Sequence, residues 1–309
     1  MITYMELSTL EKALGFSAHT LYSACNNRNK HYFKTKIPKG NGEERELSVP
    51  DRLMKTIQSK IARELLCYEK ISPYATAYRI GGSTIKNAGP HIGQPVVLKL
   101  DIRHFFDHII YPAIKEKAFP ENKYSENNRV LLSLLCTYRG SLPQGAPTSP
   151  FISNIIMKDF DDNVGKWCSE KNIRYTRYCD DMTFSGDFDP NETIRFVRSE
   201  LSKKGFFLNS KKTTVVRNGQ KKIVTGIIVN EKLNVSSAYK KEIRKNVYYC
   251  KKFGIKSHLE HQKTFQDEYT YLQKIHGRIN YALSVNPDDN EMKQYKAWVI
   301  TEIKRYKIN

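Results

Sequence analysis

Two apolar stretches that run into acids constrain this chain more than any other feature. Val96-Val97-Leu98-Lys99-Leu100-Asp101-Ile102 reads as a strand ending in a carboxylate. Residues 173–185 read as two more strands, joined at Tyr178-Cys179-Asp180-Asp181. A strand end and a tight turn can present Asp101, Asp180 and Asp181 together at one edge of a sheet. Acids on adjacent rigid strands suit in-line phosphoryl transfer, where one divalent ion activates the attacking hydroxyl and another escorts the phosphates. Mg²⁺ is the matching ion, since it prefers oxygen ligands, keeps waters and needs few carboxylates. Paired aspartates by themselves are not distinctive. Asp161-Asp162 falls on the polar side of a predicted helix and Asp288-Asp289 in a loop after Pro287, and both pairs are most simply solvated.

Around these strands the pattern is mixed. Leu7, Leu10, Leu14 and Leu21 follow a helical period, and Lys36 to Leu47 reads as a hairpin about a Gly/Asn turn. An amphipathic helix is expected from Asp51 to Tyr68 on Leu53, Ile57, Ile61 and Leu65. Ser149 and Pro150 suit an N-cap and first helical residue, ahead of a face formed by Ile152, Ile156, Phe160, Val164 and Trp167. Another helix is expected from Glu192 to a C-cap at Gly205. The fold class implied is α+β, a sheet backed by helices. It divides into a helical segment 1–35, a mixed core 36–230 and a helical, basic tail 231–309.

Charge narrows the partner. Lys+Arg 51 against Asp+Glu 32 gives +19, the footprint of a polyanion-binding protein. Residues 203–222 hold seven Lys/Arg and no acid; 239–256 hold seven and one acid, interleaved with Tyr239, Tyr248, Tyr249 and Phe253. Cations with rings between them suit phosphate tracking and base stacking. The six cysteines form no C-x-x-C pair, and Cys250, His258 and His261 lack a fourth ligand, which argues against zinc and disulfides and suits a reducing cytoplasm. No secretion signal or membrane-length apolar run is read.

Four motifs in register resemble reverse transcriptases. Tyr178-Cys179-Asp180-Asp181 is similar to their Y-x-D-D box, and 98–106 to the strand bearing their first catalytic Asp. Leu142-Pro143-Gln144-Gly145 through Ser149-Pro150 resembles L-P-Q-G-x-x-x-S-P, and Gly205 to Asn209 with Lys212-Thr213 resembles G-x-x-L-N…K-T. The resemblance implies a right-hand polymerase with fingers, palm and helical thumb. It also implies two Mg²⁺ ions held by Asp101, Asp180, Asp181 and the Ile102 carbonyl. Gln144 and Gly145 would pack on the incoming nucleotide, and Lys39 and Arg45 would pair with its triphosphate. Lys212, or its neighbour Lys211, would donate a proton to pyrophosphate. Of Phe105 and Phe106, one is expected in the core; the spacing from Asp101 favours Phe106 under the sugar, where a ring excludes a 2′-hydroxyl.

Asn87-Ala88-Gly89-Pro90-His91 and Val224-Thr225-Gly226 resemble the N-A-x-x-H and V-T-G elements of bacterial retron enzymes. Cys179 departs from the commoner Ala and is read as packing. That resemblance implies dNTP substrates and a cognate structured non-coding RNA (msr-msd), primed from an internal 2′-hydroxyl and copied into a branched RNA–DNA hybrid (msDNA). It implies anti-phage defence with a separately encoded effector protein. Asn87, His91, Val224, Thr225, Gly226, Arg244, Lys245, Lys251 and Lys252 are the candidate RNA contacts. The rivals are a group II intron-like, diversity-generating or abortive-infection reverse transcriptase, which would lack branched cDNA. An RNA polymerase is opposed by Phe106, and a non-catalytic RNA-binding scaffold by the complete set of acids.

Overall fold

The computed structural model describes residues 3–38 and 44–308, with the side chains of these except Arg45 and 306–308. Two helices open the chain, α1 (Leu7–Leu14) and α2 (Ala18–Asn26); Leu10, Leu14 and Leu21 are buried, as their spacing requires. Antiparallel β1 (Tyr32–Pro38) and β2 (Glu44–Pro50) form the expected hairpin, with Tyr32 opposite Pro50 and Pro38 opposite Glu44. Asp51 caps α3 (Arg52–Ile61) by accepting from the Met54 amide. The buried face of α3 is Met54, Ile57 and Ile61, whereas Leu53 is 38% exposed. Each step of four drifts about 40° on a helix, so the series back from Leu65 leaves the face by Leu53.

Next come α4 (Thr84–Ala88), β3 (Val96–Asp101), α5 (Tyr111–Ala118), α6 (Glu126–Leu135) and the long α7 (Ser149–Glu170). Helix α7 starts one residue earlier than expected. Thr148 is its N-cap, and the Ser149 hydroxyl donates to the Pro143 carbonyl at 2.8 Å. Its expected face is buried through Ile152, Ile156, Phe160 and Val164, and Trp167 stacks on Phe196 with centroids 4.3 Å apart. The chain continues with β4 (Arg174–Tyr178), β5 (Asp181–Gly186), α8 (Pro190–Ser202), β6 (Thr214–Val216), β7 (Ile223–Val224) and β8 (Ile227–Ile228). Helix α8 stops at Lys203, not at Gly205; Gly205 instead turns the chain at φ +74°. Four helices follow: α9 (Ser237–Phe253), α10 (Ile255–His261), α11 (Glu268–Val285) and α12 (Asn290–Ile308).

The central sheet runs β4-β5-β3-β6, with β5 antiparallel to both β4 and β3. Leu98, Leu100, Met182 and Phe184 of the sheet share one apolar cluster with Met157, Phe160 and Val164 of α7 and Val197 and Leu201 of α8. This is the mixed, helix-backed antiparallel arrangement expected of an α+β chain.

The chain gathers into two compact units, Met1–Ser83 with Val96–Val215, and Thr84–Pro95 with Val216–Asn309. Segment 84–95 joins the second unit through side chains and backbone. The Gly93 amide donates to the Asn230 carbonyl at 2.8 Å, and the buried Lys222 ammonium to the Gln94 carbonyl at 2.6 Å.

Two expectations are corrected here. Asp161 is not solvated; it is fully buried, as is its partner Arg177. Asp289 is buried too, where it pairs with Lys240 and accepts from the Met292 amide in the first turn of α12. Among the described residues no helix is long and apolar enough to cross a membrane.

Candidate active site

Pairing of β3 with β5 sets Asp101 directly opposite Asp181, and the Ile102 amide donates to the Asp180 carbonyl at 3.0 Å. Tyr178 pairs with Asp181, so Cys179 and Asp180 alone make the turn between β4 and β5. Two-residue hairpins need a positive φ to match the twist of their strands, and Cys179 supplies it at +62°. A left-handed residue with a Cβ costs about 1–2 kcal/mol, so something must hold it.

Arg177 is that something. Its Nη1 donates to the Cys179 carbonyl at 2.8 Å. Its Nε and Nη2 donate to the Asp161 carboxylate at 2.8 and 2.6 Å, and Nη2 also reaches Asn154 Oδ1 at 3.2 Å. The Tyr175 hydroxyl donates to Asp161 Oδ1 at 2.8 Å. Burial would lower the Arg177 pKa, but the Asp161 charge outweighs it and holds the guanidinium protonated. A charged fork with its counter-ion inside the protein therefore fixes the backbone one residue before Asp180. Burial pushes the Cys179 thiol up to about 12, with the Asp180 charge adding to it, which keeps it inert as its packing role requires.

Asp101 is buried and has two partners: Asn209 Nδ2 donates to Oδ1 at 3.0 Å and Lys212 Nζ to Oδ2 at 2.7 Å. Lys212 makes that contact, and the hydrogen bond raises its pKa, so the ammonium stays charged. Asp181 is exposed at the start of β5, yet the protein crowded around it raises its carboxyl to about 6, first by desolvation, then by the charges of Asp180 and Asp101, with Lys212 and Lys99 opposing. Asn209 stands in the sequence motif, but only the structure gives it a task. Among the described residues no three His, Cys, Asp or Glu side chains are grouped so as to hold a metal ion by themselves. The carboxylates offer only oxygens, and the repulsion that Asp180 and Asp101 add to desolvation at Asp181 is of the kind a hard divalent cation relieves.

On the nucleotide-side candidates, Phe105 is core and Phe106 half-buried, 5.3 Å from it between centroids. Gln144 and Gly145 lie against β2: the Ser48 amide donates to the Gln144 carbonyl at 3.0 Å. A Cβ on Gly145, at φ +120°, would lie 3.2 Å from the Ser48 carbonyl oxygen, so glycine alone permits this approach. Lys39 lies outside the described residues, and Arg45 is described through its backbone only, opposite Ile37.

In the second unit, Asn87 and Thr225 meet, Nδ2 donating to Oγ1 at 3.3 Å, while the Thr225 hydroxyl donates to the Thr84 carbonyl at 3.2 Å. The side chains of Asn87, His91 and Val224 are buried within the unit, whereas Gly226 beside them is exposed. Arg244 is held by Glu291 through bonds of 2.6 and 2.7 Å. Lys245, Lys251 and Lys252 are exposed, with Lys251 over the Trp298 ring and Lys252 over Phe253.

Residues 37–272 match a family model described as Reverse transcriptase (RNA-dependent DNA polymerase). The chain is 29% identical over 291 residues to the Retron Ec86 reverse transcriptase of Escherichia coli, covering 91% of this chain and 84% of that protein. It is 30% identical over 295 residues to the Retron Ec83 reverse transcriptase of the same organism, covering 89% and 90% respectively. Among solved structures it overlaps apo telomerase from Candida tropicalis, truncated from its C-terminal domain, with a TM-score of 0.46 and 14% identity over 74% of this chain and 60% of that one.

Proposed function

This chain belongs to the reverse transcriptases, the RNA-dependent DNA polymerases, and to their retron type; from that premise we propose that it copies part of its own structured non-coding RNA into single-stranded DNA, primed from a 2′-hydroxyl of that RNA. The observation that carries the reading is Asp101 facing Asp181 across paired strands, with Asp180 in the turn and Lys212 on Asp101. In this reading β1–β2 belong to the fingers, the four-stranded sheet with α7 and α8 is the palm, and the helices after 231 are the thumb. Asp101, Asp180, Asp181 and the Ile102 carbonyl would hold two Mg²⁺ ions, which when bound activate the primer hydroxyl and offset charge on the triphosphate.

The chain's own residues do the rest. In this reading Lys212, kept protonated by Asp101, gives a proton to the departing pyrophosphate. Gln144 and Gly145 form a surface on which the incoming dNTP lies, with Lys39 and Arg45 as its triphosphate partners. Phe106 lies under the sugar and leaves no room for a 2′-hydroxyl. Phe106→Ala is expected to raise the ratio of ribonucleotide to deoxyribonucleotide incorporation roughly tenfold or more, read as kcat/KM for each. An unchanged ratio would assign Phe106 to packing.

The enzyme acts in the cytoplasm, and its branched product serves anti-phage defence through a separate effector protein. The test is the nucleic acid that co-purifies with the protein. A short DNA joined 2′–5′ to RNA, released by a debranching enzyme and not by RNase alone, is the expected result. Linear DNA with a free 5′ end would replace the retron reading with an intron-like or diversity-generating one.

A further inference from the structure

One cavity of the second unit has walls that suit a flat aromatic ligand. It holds about 400 Å³, toward the small end of ligand pockets, between α9 and α10. Lys245, Tyr249, Phe253, His258, His261 and Gln262 are among its lining residues. Tyr249 is the middle of a three-ring stack, with Phe253 at 6.0 Å and 21° and His258 at 5.7 Å and 13°. The His258 ring is hydrogen-bonded to the Tyr271 hydroxyl at 3.0 Å, and Gln262 Nε2 donates to its Nε2 at 2.9 Å, so the stack is braced from behind. Phe253 is 53% exposed. Ring surface at a water boundary is stabilised by whatever covers it.

The chemistry of the surroundings selects the cover. Among the described residues no carboxylate lines the cavity, and the one acid of residues 239–256, Glu242, is engaged by Arg278. An array of cations beside stacked rings repels basic peptides and attracts phosphates, while the rings take a base face-on. Base pairing hides both faces of a base in its stack, so the ligand has to be unpaired. We propose that this cavity receives a single unpaired nucleobase of a bound RNA, stacked on Phe253 at the open end of the three-ring stack, with the Lys245 ammonium at its phosphate. This rests on the reading of the helical tail as the RNA-holding thumb, and adds to it a site that senses a base as well as charge.

The test is equilibrium binding of the full chain to two labelled RNA octamers, oligo(A) and the same ribose-phosphate chain without bases. Phe253→Ala is expected to weaken oligo(A) roughly five- to hundredfold while the abasic octamer binds as before. Phe253→Trp restores the affinity for oligo(A). Lys245→Ala weakens both octamers and lowers the slope of log affinity against log salt by about one. Because Phe253 is a surface residue, thermal melts of its variants should match wild type. A Phe253→Ala variant that leaves oligo(A) unchanged, or that weakens both octamers equally, overturns the base site and leaves the cavity to another occupant such as an apolar peptide. If Lys245→Ala and Lys252→Ala also leave both octamers unaffected, the thumb reading itself falls.

Discussion

Asp180→Asn combined with Asp181→Asn is expected to abolish DNA synthesis, with dNTP incorporation on a primed RNA template falling at least roughly 10³-fold, the scale on which loss of groups acting on transition-state charge is felt. RNA binding should persist, because both changes remove negative charge beside a polyanion. Stability should move in the opposite direction. The Asp181 carboxyl titrates at about 6 in the folded chain, against 3.8 for an unperturbed one. As pH rises the unfolded chain loses this proton first, so the ionised carboxylate opposes folding fully above about pH 6, and that opposition fades as pH falls from 6 towards 4. Asparagine removes it. Melts without divalent cations should therefore place the variant above wild type at pH 7.5 and level with it near pH 4. Undiminished incorporation would overturn the catalytic assignment. A lower melting temperature at pH 7.5 would overturn the repulsion.

That site was legible in the sequence because its parts are local. A strand ending in Asp101 and a two-residue turn between strands are patterns of period and turn chemistry, and antiparallel pairing brings them together whatever lies beneath. The same holds for the buried leucines of α1 and α2, whereas the Gln144-Gly145 segment was marked only by its resemblance to a family motif. Asp161 was not legible. It sits at a helix position whose sequence neighbours, Asp159 and Asp162, are polar, and its partner Arg177 lies sixteen residues on in another element. A charge buried against a distant charge leaves no periodic trace; one signal present was Arg177 itself, a cation in a strand otherwise expected to be covered by α7. The burial of Asn87 and His91 was hidden for the converse reason, since a polar motif looks the same whether it faces solvent or its own chain.

Asp161→Asn is expected to cost about 3–5 kcal/mol, the penalty for leaving a buried partner charge uncompensated. For a domain of this size that is a fall in melting temperature of roughly 6–20 °C. Its sequence neighbour is the control. Asp162 pairs with Lys158 at 2.7 Å on the same helix, both side chains more than a third exposed, so Asp162→Asn should change stability by less than about 0.5 kcal/mol. The larger effect has a catalytic half, because Arg177 Nη1 holds the Cys179 carbonyl and with it the left-handed turn that aims Asp180. The double variant Asp161→Leu with Arg177→Met separates the halves. Two apolar side chains can fill the space of a buried ion pair at little cost, so melting temperature should recover most of the loss. Neither can donate to the Cys179 carbonyl, so kcat should stay low while KM for dNTP changes little. If kcat returned together with stability, the pair would be packing only, and the positioning of the catalytic turn would have to come from elsewhere in the sheet.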